Sequence, residues 1–274
     1  MRTRIFNKMT AQEVEDYLAR GGDTMFIAVG VVECHGNLPI DCETIVPEAY
    51  AKLLAEKADG LAMINLPYFY PGGTVISNAT VHLTIRDGMD YLRRICLSLV
   101  DQGFKRLFLI SGHGPAPLTI NPFCRDFFEE TLIHPCHLMH LPQAAGVKID
   151  YREGRIMYGA YKIMGQMEYL PVDPNAADPQ PPHMDEDPAL ARFSSLYRAC
   201  GGFVARVYSN PEQHNGGKIF KSEEERLEYC TKGEEQMREI VDKCNIVELK
   251  EALGRYQEYV QRVYVKFPRI KKVH

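Results

Sequence analysis

Two short polar segments bring carboxylate and imidazole side chains close together in the sequence. These residues are Glu33, His35, Asp41 and Glu43 in the first segment and His113 in the second. Carboxylate oxygens and imidazole nitrogens are common protein ligands of zinc and related divalent metals. A catalytic metal keeps one position open for water, lowers the pKa of that water and polarises a carbonyl group. The residue types therefore predict a divalent-metal site that activates water.

Both polar segments follow directly after apolar runs that are typical of buried strands. Met25–Val32 is apolar and rich in β-branched residues, and Arg106–Ile110 is also apolar. A strand without apolar–polar alternation is covered on both faces, as in a parallel sheet. Ligands bind outside the carboxyl ends of such strands, so we expect the two segments to meet at one edge. Glu33 and His35 are two residues apart, and in an extended segment their side chains point to the same side.

Strands and helices alternate along much of the chain. The predicted strands are Met25–Val32, Leu61–Leu66, Arg106–Ile110 and Cys136–Leu141, and the predicted helices are 11–20, 47–57, 84–102, 119–131 and 222–242. This order predicts an α/β fold, a three-layer αβα architecture with a mostly parallel central sheet, in a single domain over residues 1–274. The region of about 142–202 is less regular and is expected to form a long loop or arm. Residues 203–207 are a candidate late strand.

The composition narrows the classes of partner. The formal net charge is −4 and the 32 basic residues are dispersed, whereas nucleic-acid binding needs a basic stripe. The chain has no apolar run of the roughly 18 residues that span a bilayer. Its N-terminal residues turn acidic where a signal peptide would turn apolar. We therefore expect a cytoplasmic protein that binds a small molecule and neither nucleic acid nor a membrane.

Three further histidines recur at a spacing of three residues. His134, His137 and His140 lie around a predicted strand, where side chains at this spacing cannot converge as they would on a helix. We expect them at the surface or at a subunit contact.

The two polar segments resemble the sequence signatures of the creatininase family. GVVECHGNLPIDCETI is similar to the family pattern E-Q-H-G-P-H-L-P-L-x-x-D-T, and SGHGP after the third strand resembles N-G-H-G-G-N. Weaker matches follow in the same order: residues 78–83 with F-P-G-T-I-S-L, 165–169 with H-A-G-x-x-E-T-S, and Lys232-Gly233 with E-K-G. The resemblance covers most of the chain, and we expect a divergent member of this family.

The resemblance implies a role for each matched residue. Glu33, His35 and His113 fall on metal ligands of the family, and Glu43 falls on its aspartate ligand once one residue is deleted from the loop. Asp41 is the competing ligand. The implied cofactor is one divalent ion, zinc or manganese with iron as a further option.

The remaining site residues are predicted with less direct matches. Glu168 falls on an active-site glutamate of the family, and either Glu168 or Asp41 is the candidate proton carrier. The candidate substrate contacts are Asn37, Thr80, His82 and Tyr68.

Three departures from the family pattern argue against creatinine as the substrate. Pro115 stands where creatininase has a glutamate ligand for a second metal, and Ile163 stands where the family has a histidine. Tryptophan is absent, so indoles cannot wall the pocket. The resemblance thus implies a metal-dependent hydrolase that attacks a carbonyl carbon of a small, polar, cyclic substrate.

Three interpretations of function stay open on the sequence alone. The first is C–N cleavage of a cyclic amide or formamide. The second is C–C ring opening of an inositol-derived diketone, of the 3-dehydro-scyllo-inosose type. The third is a metal-binding protein without catalysis. The resemblance also implies a homo-oligomer, with a hexamer as the form that family members often adopt.

Overall fold

The computed structural model describes residues 1–72, 78–149, 155–177, 188–202, 204 and 217–266. Its strands are β1 (Thr24–Ala28), β2 (Leu61–Met63), β3 (Arg106–Ile110) and β4 (Cys136–Leu138). Its helices are α1 (Ala11–Ala19), α2 (Cys42–Lys57), α3 (Ile85–Asp101), α4 (Pro117–Thr131), α5 (Leu141–Ala144), α6 (Arg155–Met164), α7 (Pro188–Ala199), α8 (Glu223–Lys243) and α9 (Ile246–Lys266). Short 3-10 turns cover Phe6–Lys8 and Met167–Tyr169.

The four strands form one parallel sheet in the order β2-β1-β3-β4. β1 lies in the centre and pairs with β3 from Thr24 opposite Arg106 to Ala28 opposite Ile110. All strand pairs are parallel, so every carboxyl end lies at the same edge. The predicted parallel sheet is confirmed.

Each face of the sheet packs on its own layer of helices. Phe26 and Phe108 stack at 5.0 Å between ring centroids on one face, within a core that also contains residues of α2, α6 and α8. Met25 and Leu109 lie on the other face, in a core with residues of α1, α3 and α4. Because alternate side chains enter two apolar layers, the strand needs no polar face. The three-layer αβα architecture is therefore confirmed.

The start of α2 matters most for the site. The sequence pattern predicts that this helix begins at Pro47, but it begins at Cys42. The carbonyl of Asp41 accepts the backbone N–H groups of Thr44 and Ile45, which fixes the first turn five residues earlier than predicted. Glu43 consequently lies in the first turn of α2, where the helix dipole favours a carboxylate.

The region 142–202 contains more regular structure than its sequence indicates. Among its described residues are α6, whose side chains are mostly buried, and α7. α6 packs closely on α8, because a Cβ on Gly159 would lie 2.2 Å from the carbonyl carbon of Gly233. Apart from Val204, the strand predicted for 203–207 falls outside the described residues. None of the described helices combines the length and the apolar character that a membrane span requires.

Candidate metal centre

The loop after β1 folds back on itself and presents two polar side chains to α2. The N–H of Glu33 donates to the carbonyl of Ile40 at 2.9 Å, and the N–H of Leu38 donates to the carbonyl of His35 at 3.2 Å. Gly36 between them has φ +62°, a left-handed conformation that glycine adopts without strain. This short reversal turns His35 and Glu33 toward the first turn of α2.

Three ligand atoms of this region lie near one centre. His35 Nε2 is 3.3 Å from Glu43 Oε2 and 3.8 Å from Glu33 Oε2. One ligand atom of each of the three residues lies within 4.8 Å of the others. This spacing matches atoms that share one cation, since metal–ligand distances are about 2.0–2.2 Å for nitrogen and oxygen.

His113 adds an imidazole from the neighbouring strand. It follows β3, which pairs directly with β1, and the N–H of Val29 donates to the carbonyl of Ile110 at 2.8 Å. His113 Nδ1 lies 3.6 Å from Glu33 Oε2 and is in hydrogen-bond contact with Glu43 Oε2. The structure therefore brings together all four residues predicted as metal ligands.

Burial and the neighbouring charges act in opposite directions on the ionisable groups of this cluster, and the charges prevail. Glu33 is 1% exposed and His113 is 3% exposed. Burial disfavours the charged imidazoles, yet the charges and hydrogen bonding of Glu43 and the charge of Glu33 outweigh it and raise the pKa of His35 and of His113. Burial likewise opposes the charge of Glu43, but the two histidines hold the pKa of its carboxyl well below the usual range.

The donor set fits one divalent cation. Two carboxylates and two imidazoles converge, and the two carboxylate charges balance a charge of +2. A buried carboxylate is expensive unless it is paired or coordinates a metal. Two nitrogen and two oxygen donors suit zinc, and manganese also accepts such ligands.

Asp41 is held by a buried hydroxyl. Tyr161, on α6, donates to Asp41 Oδ1 at 2.5 Å, and burial followed by the adjacent carboxylate raises the pKa of Tyr161 above its usual range. This contact ties α6 to the start of α2, two residues before Glu43. Asp41 is not among the ligand atoms that group around one centre in the described residues.

The other predicted site residues lie in varied settings. Asn37, His82 and Tyr68 are exposed, and the ring of His82 packs edge-on against Tyr70 at 5.8 Å. The hydroxyl of Thr80 accepts the backbone N–H of Cys34 at 3.2 Å, so it supports the loop between the two candidate ligands Glu33 and His35. Glu168 is exposed in the 3-10 turn after α6 and does not belong to the ligand cluster found among the described residues.

Pro115 serves packing behind His113. A Cβ on Gly72 would lie 2.4 Å from Pro115 Cγ, and Gly72 has φ +97°, so glycine is needed there twice over. A proline offers no metal ligand, so Pro115 adds no donor to the cluster of Glu33, His35, Glu43 and His113.

A cavity of about 170 Å³ adjoins the cluster. Its lining residues are Glu43, Val46, Tyr50, Gly112, Met139, Pro142, Ile149, Arg155, Ile156 and Met157. Glu43 and Gly112 connect the cavity with the cluster, because Gly112 directly precedes His113.

The sequence pattern did not predict that Tyr161 contacts Asp41, or that Arg155, Met139 and Met157 line the cavity. Tyr161 sits in a stretch without a motif, and its partner Asp41 is 120 residues away along the chain. The available signal was the helical spacing of apolar residues in α6, which predicts that one face of the helix is buried but does not predict its contact with Asp41.

Comparisons with known proteins identify a matching family and a matching fold. A family model described as creatininase, creatinine amidohydrolase, matches residues 7–162, more than half of the chain. A solved structure described as a creatinine amidohydrolase from Bacteroides fragilis is 18% identical, with a TM-score of 0.59 over 95% of this chain and 98% of that one.

Two further structures match at similar levels. A manganese creatininase is 17% identical with a TM-score of 0.57, and a mutant creatininase of the Zn-Zn type is 19% identical with a TM-score of 0.57. Each match covers 93% of this chain and 99% of the other. At these identities the likeness establishes the fold.

A curated relative also matches part of the chain. The phosphoglucosamine mutase of Marinomonas sp. (strain MWYL1) is 30% identical over 150 residues, which cover 49% of this chain and 33% of that protein. The chain spans about a third of the length of that relative.

The fold and the cluster define a class first: a three-layer α/β protein with a candidate metal centre at the carboxyl edge of its parallel sheet. Since the family model matches more than half of the chain and includes the four described strands and all four clustered residues, the chain belongs to the creatininase family.

Proposed function

We propose that this protein is a divalent-metal-dependent hydrolase that cleaves a C–N bond of a small cyclic amide or formamide. The observation that carries the proposal is the convergence of Glu33, His35, Glu43 and His113 beside a cavity. The description of the family model as an amidohydrolase supports C–N cleavage.

The proposal assigns one ion to the cluster. The manganese and zinc forms of the structural neighbours support either metal here. A bound divalent cation supplies Lewis acidity, which polarises a carbonyl group and lowers the pKa of water. His35 and His113 act as neutral nitrogen donors, and Glu33 and Glu43 supply the compensating negative charge.

We assign proton transfer to Asp41 rather than to Glu168. Asp41 lies two residues before Glu43 and is oriented by Tyr161, whereas Glu168 is exposed. A proton carrier must come within hydrogen-bond reach of the reacting atoms, directly or through one water. The hydroxyl of Tyr161 engages Oδ1, and Oδ2 is the oxygen that we assign to the substrate side.

The test is a hydrolysis assay on a panel of cyclic amides and formamides. Zinc- and manganese-loaded protein is incubated with each compound, and mass spectrometry detects either the ring-opened product of a cyclic amide, which is heavier by one water, or the amine and formate released from a formamide. His113→Asn is compared with His137→Asn, a matched change on the next strand. We expect turnover in the native protein, a loss of at least 100-fold in His113→Asn and little change in His137→Asn. Equal turnover in both variants would refute the proposal.

A further inference from the structure

A second, much smaller cavity adjoins His113. Its volume is about 10 Å³, and the polar side chains of its lining include Ser111, His113 and Thr119. A cavity needs about 10–15 Å³ of such space to hold a water molecule, and that water needs two to four polar partners. The size and the polar groups of the small cavity therefore fit one ordered water.

Two polar atoms at the small cavity are buried without a hydrogen bond of ordinary geometry. Thr119 is 2% exposed, and within the described part of the chain neither its Oγ1 nor His113 Nε2 has such a partner. The carbonyl of Pro71 is a further polar neighbour of the ring: burial lowers the pKa of His113, Glu43 raises it, and Pro71 adds to that increase. Buried polar groups in folded proteins are paired with protein or with ordered water, so the two atoms point to a water between them.

Packing fixes the direction of the Thr119 hydroxyl. A Cβ on Gly88, in α3, would lie 2.9 Å from Thr119 Cγ2, so the methyl group of Thr119 packs closely against α3. A β-branched side chain has few rotamers, and with its methyl group held against α3 the hydroxyl faces away from that helix. The backbone also ties Thr119 to the ligand, because the N–H of Ala116 donates to the carbonyl of His113 at 3.1 Å and the N–H of Thr119 donates to the carbonyl of Ala116 at 3.0 Å.

The two ring nitrogens of His113 have different neighbours. Nδ1 contacts Glu43 Oε2 and lies 3.6 Å from Glu33 Oε2, so Nδ1 is the nitrogen that faces the other candidate ligands. A histidine that binds a metal through one nitrogen donates the N–H of the other nitrogen to an acceptor, which fixes its tautomer and the orientation of its ring. For His113 that second nitrogen is Nε2.

We propose that one ordered water in the small cavity joins the Nε2–H of His113 to the hydroxyl of Thr119, so that Thr119 is a positioning residue for the metal centre. This inference rests on the proposed function, because it takes His113 as a ligand through Nδ1. The water accepts the Nε2–H and donates to Thr119 Oγ1. The ring proton is thereby kept on Nε2, and the lone pair of Nδ1 is left for the ion.

The first test measures zinc affinity by competition with an indicator. Thr119→Val removes the hydroxyl at nearly constant volume, and Thr119→Ser keeps it. Thr131→Val is the matched control on α4, because the Thr131 hydroxyl donates to the carbonyl of Phe127 at 2.7 Å and Thr131 lies outside the lining of the small cavity. Losing an outer contact of a metal ligand lowers affinity by about 10–100-fold, so Thr119→Val should lose at least 10-fold.

The two other variants separate the hydroxyl from the packing. Thr119→Ser should stay within about threefold of the native zinc affinity and Thr131→Val within about twofold, since the link to His113 is intact in both. If Thr119→Val does not fold, Thr119→Cys replaces it, because a thiol is only a weak hydrogen-bonding group. A native affinity in Thr119→Val, or an equal loss in Thr119→Val and Thr119→Ser, would overturn the inference.

The second test observes the water and the ring proton directly. A high-resolution crystal structure should show one water within about 2.7–3.2 Å of both His113 Nε2 and Thr119 Oγ1. In proton–nitrogen NMR spectra of the zinc-loaded protein, the Nε2 proton of His113 should shift in Thr119→Val and stay in place in Thr131→Val. A merely structural role of Thr119 would leave this signal unchanged. An unchanged signal, or no water at this position, would assign the Nε2–H to the carbonyl of Pro71 and overturn the inference.

The inference and the proposed function fail separately. If the panel assay detects no hydrolysis while the water is present and Thr119→Val binds zinc weakly, the proposed reaction is wrong and the positioning role stands. If the native protein hydrolyses cyclic amides while Thr119→Val binds zinc as the native protein does, the hydrolase stands and the positioning role is wrong.

Discussion

One histidine follows strand β3 and another lies on the neighbouring strand β4, and the groups around their imidazoles differ. His113 follows β3 and faces Glu33 and Glu43, which raise its pKa. His137 lies on β4, with its Nδ1 2.8 Å from Asn121 Oδ1, and burial with the nearby His140 lowers its pKa to about 4. One imidazole is surrounded by negative charge, and the other by neutral and like-charged groups.

The comparison shows that burial and the charged groups around a histidine decide whether its ring favours or disfavours a positive charge. Around His113 two carboxylates supply negative charge, which favours a proton or a metal cation at this point. Around His137 a positive charge of any kind is disfavoured. The spacing of His134, His137 and His140 attracts attention in the sequence, but His134 packs against the rings of Phe128 and Tyr256 at 5.6 and 6.0 Å.

The largest expected effect separates the two imidazoles by metal content. His113→Ala should lower zinc affinity by roughly 1,000-fold, because one of four ligands is lost and two carboxylates remain close together. His137→Ala should retain full zinc. Zinc content after dialysis against a weak chelator, measured by plasma mass spectrometry, checks both. If both variants retain zinc, His113 is not a zinc ligand and the proposed difference between the two histidines is wrong.

The next effect concerns pH. His35 and His113 have pKa values raised above about 6.5, so in the metal-free protein both carry protons below that pH and must lose them on binding zinc. Zinc affinity should therefore rise with pH, by up to about 100-fold per unit where both histidines are protonated. Competition with a zinc indicator between pH 5.5 and 8 measures the slope. A zinc affinity that stays constant across this pH range would contradict the assignment of His35 and His113 as zinc ligands.

The hydroxyl of Tyr161 should have a smaller influence on the same site. Tyr161→Phe removes the donor to Asp41 and loosens the start of α2, and outer contacts of this kind change metal affinity by about 10-fold. Tyr158→Phe is the matched control on α6, because its hydroxyl contacts the backbone of Lys218 instead. Zinc titration compares the two variants. An equal loss in both would mean that Tyr161 acts on the fold alone.

The smallest expected effect concerns the contribution of His137 to the free energy of unfolding. The folded-state pKa of His137 is about 4, below the unfolded value of about 6.5, so the unfolded chain binds more protons between these values. The free energy of unfolding should fall as pH falls from 6.5 to 4, by about 1–2 kcal/mol after allowance for solvent at this partly exposed site. Urea unfolding of His137→Gln should show a shallower fall. If the free energy of unfolding of His137→Gln falls with pH as steeply as that of the native protein, the lowered pKa of His137 would be contradicted.

Much of the fold was predictable because the signals are local. The apolar run of Arg106–Ile110 matches β3 to the residue, and Thr10 and Thr84 form the capping boxes that begin α1 and α3. The site edge follows from the topology of a parallel sheet. These features depend on neighbouring residues, so a single sequence contains them.

Most of the remainder depends on contacts between distant segments. The early start of α2 is a local exception: the N–H groups of Thr44 and Ile45 donate to the carbonyl of Asp41, whereas Pro47 indicated a later start. The burial of α6 rests on its close fit to α8 at Gly159, and its contact with Asp41 rests on Tyr161. The cavity wall comes from three separate parts of the chain, and no local pattern encodes that assembly.

The most direct measurement of the central claim is anomalous diffraction at the zinc edge from crystals grown with one equivalent of zinc. We predict a single strong peak within about 2.0–2.3 Å of one atom each from Glu33, His35, Glu43 and His113. A peak elsewhere, or no peak between these four side chains in zinc-saturated crystals, would contradict the account.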